Sequence, residues 1–175
     1  MKKIILILFF QFLFSQSLVD LDLSKSFISY DGKHPAHNWT GISKDIQGTF
    51  ELDQEDLTRS KVDLFVPVFS FDSKNSNRDS NMLDVIEDYF YPTVSFTSSE
   101  ITKEDNGYLI TGILFFHGVK KEITIPVNFI LDDKKIIVDT DFSVSLSDYK
   151  IKRPSLLTIK MKDDIIIKFY LVGFI

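Results

Sequence analysis

The chain has 175 residues, 44% of them apolar and 26% charged, which suits one globular domain and not a disordered segment. Its formal charge of −5 argues against a nucleic-acid binder, whose phosphate contacts need clustered Lys and Arg. The absence of cysteine excludes disulfides, thiolate metal centres, a cysteine nucleophile and a lipid anchor on an N-terminal cysteine.

Residues 1–15 read as a leader. Lys2 and Lys3 precede an apolar run from Ile4 to Phe14, broken only by Gln11, and Ser15 and Gln16 then bring small and polar character. Such a run is too short for a hydrocarbon core that takes about 20 helical residues. The pattern is that of a secretory signal peptide cut between Ser15 and Gln16, and it predicts a periplasmic or secreted protein. Cleavage would leave residues 16–175 as one domain and, with two lysines gone, move the charge from −5 to −7.

The remainder reads mostly as strands. Leu18 to Tyr30 and Ile46 to Leu52 are the first candidates, with a turn signal at Asp31-Gly32. Val62 to Phe71 is apolar on both faces and is expected to carry another element on its outer side. Asn81 to Tyr91 breaks the pattern: Met82, Ile86, Tyr89 and Phe90 stand near helical spacing, Asp79 or Ser80 could cap the start, and Pro92 stops it. This predicts one short helix near residues 80–91, against the doubly apolar strand or across one end of a barrel. Val94 to Ile101 and Tyr108 to Phe116 flank a hairpin at Glu104 to Gly107. Glu122 to Leu131, Lys135 to Leu146 and Asp164 to Phe174 alternate apolar and polar residues, as strands with one face in an apolar interior do. The first two are parted by Asp132-Asp133. About eight strands on successive hairpins make an all-β chain, an antiparallel barrel or else a sandwich.

Few residues suggest chemistry. His34, His37 and the distant His117 could form a three-histidine metal site, but no carboxylate stands at a ligand interval beside them and Pro35 bends the chain between the pair. The alternative is structural histidines at strand ends. No Gly-x-Ser-x-Gly elbow anchors a serine triad, and Asp132-Asp133 and Asp163-Asp164 fall at apparent turns. Arg78-Asp79 in a polar loop can fix a bend through backbone hydrogen bonds. No catalytic residue, metal or cofactor is therefore assigned. The inward faces are proposed as Val66, Val68, Phe96, Ile110, Leu114, Val127, Phe129, Val138, Phe142, Val144, Phe169 and Leu171. A cavity so lined suits a long hydrocarbon, although the pattern alone is equally compatible with a filled core.

Several motifs run in a recognisable order: Gly32-x-x-x-x-His37-x-Trp39, Gly48-x-Phe50, Asn77-Arg78-Asp79-x-x-Met82 and Tyr91-Pro92-x-Val94-x-Phe96. They continue as Gly112-x-Leu114-x-x-His117-Gly118-Val119-Lys120-Lys121 and Asp148-Tyr149-x-Ile151-x-x-Pro154. Together, from about residue 18 to 172, they resemble the YceI-like family of exported, lipocalin-like barrels associated with polyisoprenoid lipids. The resemblance implies a lipocalin-like antiparallel barrel with a helix packed near it and an apolar tunnel for an isoprenoid tail. The bound lipid would be a polyisoprenoid or an isoprenoid quinone. His34 stands where a small polar residue is expected, and Lys150 replaces a glycine common after the aromatic of the Asp-Tyr motif; neither is expected to touch the tunnel.

The favoured reading is an exported lipid carrier, with His37, Trp39, Arg78, Asp79 and His117 as a polar entrance cluster. The rivals are a metal-dependent enzyme using His34, His37 and His117, and a barrel that binds a protein on its outer face. Lys150, Lys152 and Arg153, next to Pro154 and Leu156-Leu157, could dock transiently on a membrane surface or could be a solvated turn between strands.

Overall fold

Thirteen strands and one α-helix are formed by residues 16–156 and 158–175, which the computed structural model describes. The expected leader, 1–15, and Leu157 lie outside the described residues. Strands β1 (Gln16–Leu18), β2 (Asp20–Leu21), β3 (Phe27–His34), β4 (His37–Ser43), β5 (Gln47–Asp53) and β6 (Lys61–Pro67) precede helix α1 (Ser76–Ile86). After it come β7 (Thr93–Glu104), β8 (Gly107–Phe116), β9 (Val119–Asp132) and β10 (Lys135–Ser145). The small strands β11 (Ser155–Leu156) and β12 (Ile159–Lys160) then lead to β13 (Asp164–Phe174).

One antiparallel sheet runs in the order β1-β5-β6-β7-β8-β9-β10-β13-β3-β4, with β2 added on β13 and β11-β12 as a separate ribbon. Its curl is set by β9. The first part of that strand, Val119 to Val127, pairs with β8, and its end, Asn128 to Asp132, pairs with β10. Changing partners along one strand turns the sheet into a half-barrel with a concave apolar face. At the far edge, Ile42 of β4 exchanges backbone hydrogen bonds with Asp72 at 3.0 and 2.9 Å, which ties the edge to the segment leading into α1.

Alternation does the rest. On β8, Ile110, Gly112, Leu114 and Phe116 are buried while the intervening residues are half-exposed. The inward rows form two clusters, one around Phe50, Leu52, Ile110, Val127 and Ile136, the other around Leu114, Phe116, Val144, Tyr149 and Ile165. Phe96 and Phe142 pack against both. Each fully buried side chain of this kind contributes about 1.5–3 kcal/mol, so these rows are the main source of stability.

The structure corrects several local expectations. Leu18 to Tyr30 is not one strand: Ser26 N–H donates to Asp22 O at 2.9 Å, turning the chain, and the Ser26 hydroxyl accepts from Val172 N at 2.9 Å. Asp31-Gly32 lies inside β3, and the reversal falls at Pro35-Ala36, leading into β4. The strand from Val62 ends at Pro67, where a single 3-10 turn, Val68–Ser70, carries Phe69 outward to 67% exposure, and α1 packs beside that turn. The helix starts and ends about five residues early. The Asn75 side chain accepts from Arg78 N at 3.0 Å as the N-cap, and Glu87, left-handed at φ 53°, closes the C-terminus without help from Pro92. Tyr89 and Phe90 therefore lie beyond the helix and are exposed.

Lys150 occupies the left-handed region at φ 59°, just after the 3-10 turn Leu146–Tyr149. That conformation explains why glycine suits the position. Lys150→Gly should raise stability by up to about 1 kcal/mol, read as a small increase in Tm.

Six carboxylates, those of Asp22, Asp31, Asp53, Asp56, Asp72 and Asp163, are held below the usual range in the fold. The Arg59 guanidinium lowers Asp53, the Ser147 hydroxyl lowers Asp163, and Lys25 brings Asp22 to about 2. Depressed carboxylates add stability that is complete above their unfolded values and lost as pH falls through the folded ones. Thermal melts should therefore show Tm level from neutral pH to about pH 5 and falling below about pH 4. Asp53→Asn should lower Tm at neutral pH and show a smaller further fall in acid.

Candidate ligand cavity

A cavity of about 550 Å³ runs along the concave face and touches both core clusters. Of the twelve residues expected to face inward, eleven stand on its wall: Val66, Val68, Phe96, Ile110, Leu114, Phe129, Val138, Phe142, Val144, Phe169 and Leu171. Val127 is the exception. It points to the same side of β9, between the wall residues Ile125 and Phe129, but is buried in the first cluster at 2% exposure and does not reach the open volume.

Other wall residues were not among the twelve proposed. Ile28, Tyr30 and His34 alternate along β3, and Phe50, Val62 and Leu64 come from β5 and β6. From α1, Arg78, Met82, Val85 and Ile86 share one helical face toward the cavity. Asp79 on the same helix is engaged elsewhere. Its carboxylate accepts from Ser73 N at 3.1 Å and fixes the loop before the helix, so Asp79 is not on the wall.

Polar groups gather in one part of this wall: His34, His37, Trp39, Asn75, Asn77, Arg78 and Asn81. The β3–β4 hairpin places the first three, pairing His34 with His37 and Gly32 with Trp39 in register, and the N-cap and first turns of α1 place the other four. A side chain at Gly32 would overlap the Trp39 ring, and one at Gly41 would overlap Tyr30, so each glycine is the seat of an aromatic on the next strand. The His34 and His37 rings are 5.7 Å apart, His37 and Trp39 are 5.4 Å apart, and the Arg78 guanidinium lies 5.6 Å from the Trp39 ring. Burial pushes the Tyr30 hydroxyl above the usual phenol value, so it faces the cavity neutral.

Two expectations about histidines are corrected. His34 is not remote from the cavity but lines it at 8% exposure, because the inward parity of β3 includes it. Its Nδ1 accepts from Ala36 N–H at 3.1 Å and its Nε2 faces Ile159 O at 2.9 Å, so both ring nitrogens are engaged. His117 does not join His37 and Trp39. It sits in the β8–β9 turn at φ 49°, with Nδ1 2.8 Å from Tyr149 O, Nε2 3.2 Å from Glu87 Oε2 and its ring 4.6 Å from Tyr91. There it links the β8–β9 turn to the end of α1. Among the described residues no three His, Asp or Glu side chains converge as metal ligands would. What the arrangement offers is a long apolar volume with one polar region, matching the two parts of an amphiphile.

A family model described as a YceI-like domain matches residues 20–173. The UPF0312 protein of Photorhabdus laumondii is 30% identical over 121 residues, covering 66% of this chain and 62% of that protein. The chain thus spans less than two thirds of that relative. Protein YceI of Escherichia coli is 28% identical over 143 residues, 77% of this chain and 75% of its own length. Among solved structures, Burkholderia cenocepacia BcnA matches with a TM-score of 0.80 at 25% identity, over 87% of this chain and 99% of that one. A polyisoprenoid binding domain from Saccharophagus degradans, implicated in plant cell wall breakdown, matches with a TM-score of 0.69 over 91% of this chain and 99% of its own. At 16% identity it shares the fold alone.

Proposed function

Because this chain belongs to the YceI-like family, we propose that it binds a long-chain isoprenoid or similar amphiphilic lipid, tail in the cavity and head among His37, Trp39 and Arg78. The carrying observation is the continuity of the apolar wall, from Phe50 and Phe129 in the first cluster to Val144 and Ile165 in the second. The polyisoprenoid binding of the Saccharophagus domain, which shares the fold, supports the choice of ligand class. At about 0.3 kcal/mol per heavy atom, a tail of about 20 carbons supplies about 6 kcal/mol, an affinity in the tens of micromolar without any head-group contact. Arg78, Asn77 and Asn81 add polar groups that can orient a head. The leader pattern of residues 1–15 supports a carrier working in the periplasm or outside the cell.

Trp39 is the only tryptophan and lines the cavity, so its emission reports occupancy. Titration with a long-chain isoprenoid quinone should quench it and saturate near one per chain, whereas a water-soluble quinone lacking the tail should quench far less. Equal quenching by the two, or none by either, would contradict the proposal.

A further inference from the structure

The ribbon β11-β12 stands apart from the main sheet, yet Pro154, Ser155 and Leu156 at its start lie on the cavity wall. We propose that this ribbon docks on an anionic phospholipid bilayer and so brings the cavity to the membrane. Leu156 and Ile159 pair across it and are 48% and 51% exposed, an apolar step on a projecting element. The ribbon is fixed and not free to fold away: Met161 N–H donates to Pro154 O at 3.0 Å, Lys162 N–H to Lys33 O at 2.8 Å, and the His34 ring meets Ile159 O at 2.9 Å.

Charge selects the kind of surface. Lys33, Lys150, Lys152, Lys160 and Lys162 are exposed around this ribbon, and among the described residues none is in an ion pair. The neighbouring carboxylates are already engaged: Asp163 by Ser147 and by Arg153 at 3.6 Å, Asp164 by the Ser145 hydroxyl, Asp148 by Lys121 at 2.9 Å. Arg153 is thus less available than the sequence run suggested, and Lys160 and Lys162 take its place. On a chain of net charge −5 this is a local cationic surface beside exposed aliphatic side chains, the combination that anionic interfaces attract. Among the described residues two other adjacent apolar pairs are exposed, but Tyr89 and Phe90 follow Glu87 and Asp88, and Ile130 and Leu131 precede Asp132 and Asp133, whose charges such an interface repels.

The proposal builds on the carrier reading, and the two can fail separately. The test is co-sedimentation of the protein, as the producing cell delivers it, with phosphatidylcholine vesicles with and without phosphatidylglycerol at low salt. The parent should sediment only with the phosphatidylglycerol vesicles, and added salt should release it. At about fivefold per cation, the Lys152→Gln, Lys160→Gln, Lys162→Gln triple variant should bind on the order of a hundredfold more weakly, while keeping the same extractable lipid. Ile159→Ser should weaken binding through the apolar part. A triple variant that sediments like the parent, or a parent indifferent to phosphatidylglycerol, overturns the docking proposal. A parent that sediments as expected but carries no long-chain lipid overturns the carrier reading and leaves docking standing.

Discussion

Phe142→Asp should abolish lipid retention and lower Tm by about 10 °C, given about 2–4 °C per kcal/mol for a domain of this size. Phe142 pairs with Ile167 of β13, lines the cavity and packs against both core clusters. Removing a ring so placed forfeits about 3–5 kcal/mol of packing, and the carboxylate that replaces it has an almost wholly apolar surround to desolvate into. If water follows the charge into the cavity, the fold survives at the expense of the ligand. If water does not, the chain unfolds. Phe142→Leu keeps an apolar side chain there and should cost under about 1.5 kcal/mol, with lipid retained. Melting curves and organic extracts of the two variants separate these cases, and a stable Phe142→Asp chain still holding lipid would show that this face is not the binding wall.

Gly48→Ala should be nearly as damaging, lowering stability by about 3 kcal/mol, although the residue is exposed and far from any charge network. Gly48 sits at φ 118°, a conformation close to forbidden for residues with a Cβ, and an added Cβ would overlap the Asp63 carbonyl oxygen on β6. Its Cα faces Leu64 across the ladder, so the strain falls on the β5–β6 pairing that carries Phe50 and Leu64 to the cavity wall. Thermal unfolding reads the loss. A Gly48→Ala protein with the parent's Tm would mean that β5 runs differently from the structure described.

Strands β7 to β10 and β13 were legible because alternation is dictated by one buried and one wetted face, and their inward parity carried most of the cavity wall. Parity tells the side but not the depth, which is why Val127 was placed on the wall and is in fact packed away. Strand β4 was not legible: His37, Trp39, Gly41 and Ser43 do not read as an apolar row, and their meaning appears only when Trp39 is seen resting on Gly32 of β3. The helix was displaced because Tyr89 and Phe90 mimic its period, whereas Asn75 and the left-handed Glu87 set its real ends. His37 and His117 belong to one ordered motif set but to separate turns, and order along the chain does not bring turns together. His34 shows the reverse case, a residue departing from the family pattern that the parity of β3 places on the cavity.

The central claim is that the curled sheet holds a long-chain lipid in the cavity between its two clusters. Its most direct test is organic extraction of the purified parent protein followed by mass spectrometry, beside the same extraction from Phe142→Asp. The account predicts an isoprenoid-type lipid near one per parent chain and its loss from the variant. A parent that yields no long-chain lipid, and takes up none when offered a polyisoprenoid or an isoprenoid quinone, would contradict it.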